Sequence, residues 1–458
     1  MKMENDLGRD HVRTLVWRIA IPSMLAQFVS VLYSIVDRMY IGNIPEVGDI
    51  ALAGVGVCGP IVTMVASFAS LVGVGGAPLV GISMGEGNLR HAKKILSNCF
   101  ILIWVFSALV MTVVLPLREP ILRAFGASEA AYPYAEAYFF VYILGTPFAL
   151  MAAGLNQFVV CQGYAKAGMK SVVLGAVTNI VLDPVFIFAL DMGVAGGALA
   201  TVLSQCASSV YVLILLTRKS MPVHLRPSRI DLAVVRRVLT FGFTPFIIIA
   251  MDNVMIIAMN AVLQHYGGPG RGDVLLTCAT IAQSFMLIVT MPLGGISGGT
   301  QSILSYNYGA CQTGRVREAY RCITRLCAGY TAVLFVLSWV AGPLFVRLFT
   351  QNADVAAEAV RAIRICTLFI IPLGVQYELV DGLTAIGQVR LSLPLSFWRK
   401  FVYFAAVFAL PALFGAEAVF FAEPLSDVLG PLVTVFVFRR NIGGILRRRA
   451  EMRAAPQH

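Results

Sequence analysis

Two aspartates sit where water is scarce. Asp37 falls late in one apolar stretch, within SIVDRMYIGN, and Asp183 falls within another, in NIVLDPVFI. A carboxylate at the centre of a membrane helix costs about 2.5 to 3.5 kcal/mol on insertion scales unless it is paired, hydrated or protonated, so each needs a reason to be there. Asn179 stands four residues before Asp183, hence on the same helical face, and Thr201 in the following apolar stretch offers a hydroxyl. Brought together, the four would supply two carboxylates with amide and hydroxyl oxygens, a set that can take up and release a proton or Na+. The structural alternatives are that Asp37 pairs with Arg38 and that Asp183 opens a turn with Pro184.

A second acidic set lies further on. Asp252 is inside an apolar stretch, and Glu378 and Asp381, three apart, share a helix face. Facing a cavity, these acids would attract organic cations; pairing with Arg399 and Lys400 of the next stretch, they would only hold helices together. Glu423 and Asp427 lie near the last stretch.

These residues must be carried by membrane helices. The chain has 458 residues, 58% hydrophobic and 13% charged, which excludes an ordinary globular protein. Its apolar character comes in stretches of at least about 20 residues, the length needed to cross a bilayer core of roughly 30 Å. About twelve such spans are predicted: near 14–41, 51–83, 93–117, 132–160, 166–190 and 194–217, then 238–266, 273–305, 318–345, 356–386, 390–414 and 416–439. The second set repeats the first. Pro22 aligns with Pro245, Asp37 with Asn260, Gly85 with Gly309 and Gly163 with Gly387, which marks a tandem duplication. Each copy holds an even number of crossings, so the copies are parallel repeats.

The expected architecture is an all-α integral membrane protein with two six-helix lobes, 1–217 and 238–440. A basic linker at 218–237 joins them, and a basic tail follows at 441–458. Pro22 removes a backbone hydrogen bond inside the first span and supplies a candidate gating joint. Glycines crowd LVGVGGAPLVGISMG and GGISGGTQSILSYNYG, where helices must approach closely or bend.

The net charge of +11 does not indicate nucleic acid, because Lys and Arg concentrate in alternate connections. Arg90, Lys93 and Lys94, then Lys166 and Lys170, the linker, the run from Arg315 to Arg325, Arg390 and the tail alternate with connections holding Glu46, Asp191 and Glu417. By the positive-inside rule both termini face the cytoplasm. The nine cysteines are scattered as singles and read as packing residues. Gly81-Ile82-Ser83-Met84-Gly85 fits a nucleophile-elbow pattern but sits at the end of an apolar helix without the strand-turn-helix context. No phosphate-binding loop and no clustered zinc ligands occur, so the sequence points away from an enzyme and toward a carrier driven by an ion gradient.

The segments IPSMLAQFVSVLYSIVDRMYIGN, NIVLDP, GEGNLRHAKK and SYNYGACQTGRVREA carry a resemblance, over nearly the whole length, to the multidrug and toxic compound extrusion (MATE) family, within it to the bacterial multidrug efflux branch. The resemblance implies two six-helix lobes around a central cavity in a bacterial cell membrane. It also implies export of cationic or amphiphilic drugs in exchange for H+ or Na+, with no other cofactor. Asp37, Asn179, Asp183 and Thr201 match an amino-terminal-lobe cation site of some members, including a possible Na+ site. Pro22 matches a proline at which the first span bends in an archaeal relative. Asp252, Glu378 and Asp381 resemble carboxy-terminal-lobe acids used by others for substrate binding or coupling. A lipid or lipid-linked sugar flippase on related architecture is the alternative, and it would call for a strongly basic cavity.

Overall fold

A computed structural model describes residues 5–268, 271–350 and 352–454; the first four and last four positions of the expected outer segments lie outside the described residues. The described chain is helical throughout. The first half comprises α1 (Val12–Gly42), α2 (Gly48–Gly85), α3 (Leu89–Val114), α4 (Arg118–Ala124), α5 (Tyr132–Leu144), α6 (Thr146–Val160), α7 (Ala165–Pro184) and α8 (Gly193–Thr217). The second comprises α9 (Leu232–Gly267), α10 (Arg271–Gly309), α11 (Thr313–Val340), α12 (Gly342–Arg347), α13 (Ala353–Cys366), α14 (Ile370–Ala385), α15 (Val389–Phe414) and α16 (Ala422–Ala454).

Among the described residues, ten helices are long and apolar enough to cross a membrane, and the bent pair α5 and α6 makes an eleventh. That pair turns by 57° at Gly145 because Pro147 starts the second helix and a Cβ at Gly145 would strike Val202 of α8. The expected span at 356–386 is divided in the same way, with α13 and α14 separated between Cys366 and Ile370 and Pro372 near the start of α14. Neither α13 nor α14 is by itself long enough to cross, and Glu358, Arg361, Arg364, Glu378 and Asp381 make the pair the most charged of the expected spans, so this expected twelfth span is not among the ten or eleven.

Two of the expected boundaries shift. Asp231 caps α9 by accepting hydrogen bonds from the amides of Ala233 and Val234, so the helix starts at Leu232 and absorbs the end of the linker. The remaining linker is sewn to the first half: Asp231 pairs with Lys94 at 2.5 Å, Ser97 donates to the Arg226 carbonyl, and the Val223 amide donates to Gln162. The Lys94 ammonium and the capping amides hold the Asp231 carboxyl below its ordinary range. At the other end, the basic tail is no separate segment, since α16 runs on to Ala454.

The halves meet with a two-fold logic. α1 packs on α10, and α2 packs on both α9 and α10. Gly299 faces Ser23 and the Ile19 carbonyl, while its repeat-related counterpart Gly75 faces Val238 and Gly242. These close approaches fall in the halves of the helices nearest the basic connections. There Phe68 and Phe246 also meet, with ring centroids 5.1 Å apart. Arg449 of α16 closes the same end: it holds Glu86 at 2.6 Å, the Tyr308 carbonyl at 2.9 Å and the Gly309 carbonyl at 3.0 Å, spanning the two halves. The small gap left between the lobes here, about 10 Å³, is lined by Gln157, Gln301 and Ser302.

Candidate functional site

The first-half site grows out of the way α7 and α8 pack. Small or polar residues recur every four positions on α7 at Ser171, Gly175 and Asn179, which lets α8 approach. Ser208 donates to the Ser171 carbonyl at 2.8 Å, and a Cβ at Gly175 would collide with Ser208. At the far end, Pro184 breaks the regular helical ladder and the chain widens into a π-helical turn over Val185–Ala189, a distortion that often accompanies function. Gly196 of α8 lies against that turn, where a Cβ would be 2.7 Å from the Phe186 carbonyl. The seam brings Thr201 beside Asn179.

Asn179 Nδ2 donates to Asp183 Oδ1 at 3.2 Å and to Thr201 Oγ1 at 3.4 Å, and all three residues are buried. α1 packs along α7 and touches α8, which makes Asp37 the charged neighbour of Asp183. Asp37 Oδ1, Asn179 Oδ1 and Asp183 Oδ2 are buried and accept no hydrogen bond. Asp37 forms no ion pair with Arg38, and Asp183 leads into a widened turn without pairing to a basic group. The structure thus brings Asn179, Asp183 and Thr201 into one hydrogen-bonded group, with Asp37 within electrostatic reach of Asp183. Together they offer an all-oxygen acceptor set carrying two carboxylates, suited to a proton or a hard monovalent cation. Among the described residues there is no cluster of three His, Cys, Asp or Glu side chains that could hold a metal ion.

Two tyrosines that sequence reasoning missed belong to this neighbourhood. Tyr33 and Tyr138 both lie within electrostatic reach of Asp37, and Tyr138 stacks on Tyr142 with centroids 6.1 Å apart. Tyr33 was accessible from spacing, four residues before Asp37 on the same face. Tyr138 was not, because only the α5 bend delivers it.

In the second half the acids have different partners, although Glu378 and Asp381 remain within electrostatic reach of each other. Asp252 contacts Lys400 of α15, the pairing alternative. Asp381 accepts a hydrogen bond of 2.5 Å from Ser297 of α10. Glu378 is fully buried with both carboxylate oxygens unpartnered, beside Tyr320 and Cys327 of α11. Arg399 binds neither Glu378 nor Asp381; its guanidinium holds Glu423 at 2.9 Å and Asp427 at 2.9 Å. Pro22 is buried inside an α1 that is helical throughout, and the next residue, Ser23, rests on Gly295 and Gly299 of α10.

Two parallel halves of long apolar helices, with unpaired carboxylates inside, define a multi-span membrane transporter. The MatE family model matches residues 22–185 and 246–409, one match per repeat, and the chain belongs to the MatE family. It is similar to the Multidrug export protein MepA of Staphylococcus haemolyticus (strain JCSC1435), with 23% identity over 91% of each chain. Its fold is similar to a solved structure described as the outward-facing conformation of a multidrug resistance MATE family transporter, at a TM-score of 0.89 and 21% identity over 96% of this chain and 98% of that one. It is likewise similar to MATE in the bent conformation, at a TM-score of 0.88 and 22% identity over 97% and 98%.

Proposed function

We propose that the protein is a secondary active multidrug efflux transporter, exchanging cationic or amphiphilic organic compounds for H+ or Na+ by alternating access in a bacterial cell membrane with both termini in the cytoplasm. The observation that carries this reading is the buried group of Asp37, Asn179, Asp183 and Thr201, in which three oxygens accept no hydrogen bond and, among the described residues, neither carboxylate forms an ion pair. Such a group is costly to keep bare in a low-dielectric interior and favours reversible capture of a cation. The resemblance to relatives named as multidrug export proteins supports the substrate class. The close glycine approaches between the halves lie toward the end bearing the basic connections, which supports a cycle in which the halves part on the opposite side to take up a cation from outside and release the drug.

The energetic demand is modest. One charge crossing 100 mV is worth about 2.3 kcal/mol, and one pH unit adds about 1.4. A single proton would support more than tenfold accumulation of a neutral compound; for a monovalent cation exchanged one for one the potential cancels and each pH unit supports about tenfold. Acids without basic partners also make the site unlike the basic cavity that a carrier of lipid-linked phosphates would use.

The decisive experiment reconstitutes the protein in liposomes and follows a cationic dye while pH and sodium gradients are imposed separately. Efflux driven by one of them supports the reading. Dye movement indifferent to both gradients would overturn it.

A further inference from the structure

A groove runs between α1 and α11 on the membrane-facing side, away from the carboxylate sites. Its inner part, about 570 Å³, is a trough walled by Trp17, Ile21 and Met24 of α1 and by Gly329, Tyr330 and Val333 of α11. It continues at the basic end into a second space of about 550 Å³, lined by Arg13, Arg317, Arg321 and Arg325 with one acid, Glu318. The helical period explains this polarity. Residues 317, 321, 325, 329 and 333 lie four apart and form one face of α11, which reads Arg, Arg, Arg, Gly, Val from the basic end inward. Opposite it, α1 presents Arg13, Trp17 and Ile21 at the same spacing. Among the described residues, none of the four arginines forms an ion pair. Trp17 is 54% exposed at the junction of the charged and apolar parts, where an amphipathic ring belongs at a membrane interface.

We propose that this groove binds an anionic phospholipid, with the headgroup phosphate held by Arg13, Arg317, Arg321 and Arg325 and an acyl chain laid along the trough. Four cations against one carboxylate complement a phosphodiester. Basic pockets between membrane helices recognise such headgroups, and the apolar trough is continuous with the bilayer. Because α1 belongs to one half of the molecule and α11 to the other, the lipid bridges the two and favours the arrangement in which they touch.

The test uses Trp17 as a local reporter. With Trp104→Phe, Trp339→Phe and Trp398→Phe in place, the protein is reconstituted in phosphatidylcholine vesicles containing increasing brominated phosphatidylglycerol or brominated phosphatidylcholine. Phosphatidylglycerol should reach half-maximal quenching at a mole fraction at least threefold lower. Arg321→Gln with Arg325→Gln should remove that preference, whereas Arg236→Gln with Arg237→Gln on the linker side should leave it. Gly329→Phe projects a ring into the trough from a position where a Cβ meets nothing within 4 Å, and should reduce quenching by both lipids. In parallel, native mass spectrometry of the chain with all its tryptophans should show fewer retained phosphatidylglycerol molecules in the Arg321→Gln, Arg325→Gln variant. Equal quenching by the two lipids, a preference that survives loss of the arginines, or an unchanged count of retained lipid would each overturn the proposal.

Discussion

Gly85 and Gly309 are seated on each other's helices: a Cβ on Gly85 would strike the Tyr306 carbonyl, and one on Gly309 would strike the Ile82 carbonyl. Position 306 is to 309 as 82 is to 85, so the duplication visible in the sequence closes on itself as a symmetric contact. If transport requires the halves to part here, tying them must stop it. Gly81→Cys with Ser305→Cys places two Cβ atoms about 2.9 Å apart, a separation that needs to widen only slightly for a disulfide. Oxidation should abolish dye efflux and a reductant should restore it. Undiminished efflux with the link verified by mass spectrometry would show that this contact does not open.

Asp37→Asn and Asp183→Asn should each lower gradient-driven efflux in proteoliposomes by at least tenfold, with thermal stability kept or raised, because each removes a costly buried carboxylate. Thr201→Val, which deletes one acceptor from the set, should give a smaller loss. Wild-type rates in both aspartate variants would remove the quartet from the coupling step.

Arg399→Met should be among the most destabilising substitutions in the second half. It strips Asp427, fully buried, of its guanidinium and leaves the charge without a partner, a change that typically costs about 3 to 5 kcal/mol. Adding Asp427→Asn should recover much of that loss. Thermal unfolding of the single and double variants measures both effects, and an unshifted melting temperature in the single variant contradicts the assignment.

Arg449→Gln should loosen the closure at the basic end while leaving the fold intact. A cysteine introduced by Gln301→Cys, in the narrow gap between the halves, should then react faster with a membrane-impermeant thiol reagent applied from that side. No change in labelling rate would mean that the glycine contacts alone keep the gap shut.

Much of this was legible in the sequence because membrane helices declare themselves by composition and repeats by punctuation. Asn179 and Asp183 were placed together by a four-residue spacing, and Thr201 by its position in the next span. The chain departs from simple reading where partners come from distant helices. Arg399 and Lys400 are neighbours in sequence yet point to different acids, since consecutive helical side chains are about 100° apart. Glu378 and Asp381 share a face, but Ser297 of α10 reaches only one of them. The bend at Gly145 and the break between Cys366 and Ile370 divided two predicted spans into shorter helices, which spacing of apolar residues alone does not announce.

α16 carries Asp427 at one end and Arg449 at the other. At 1.5 Å per residue the two lie roughly 33 Å apart along one rod, interrupted only by Pro431. One continuous helix thus joins the buried Arg399 ion cluster to the Arg449 contacts at the basic end, so a rearrangement of either is expected to be felt at the other. In that sense the final helix is placed as a drawbar between the ion cluster of the second half and the fastening that joins both halves.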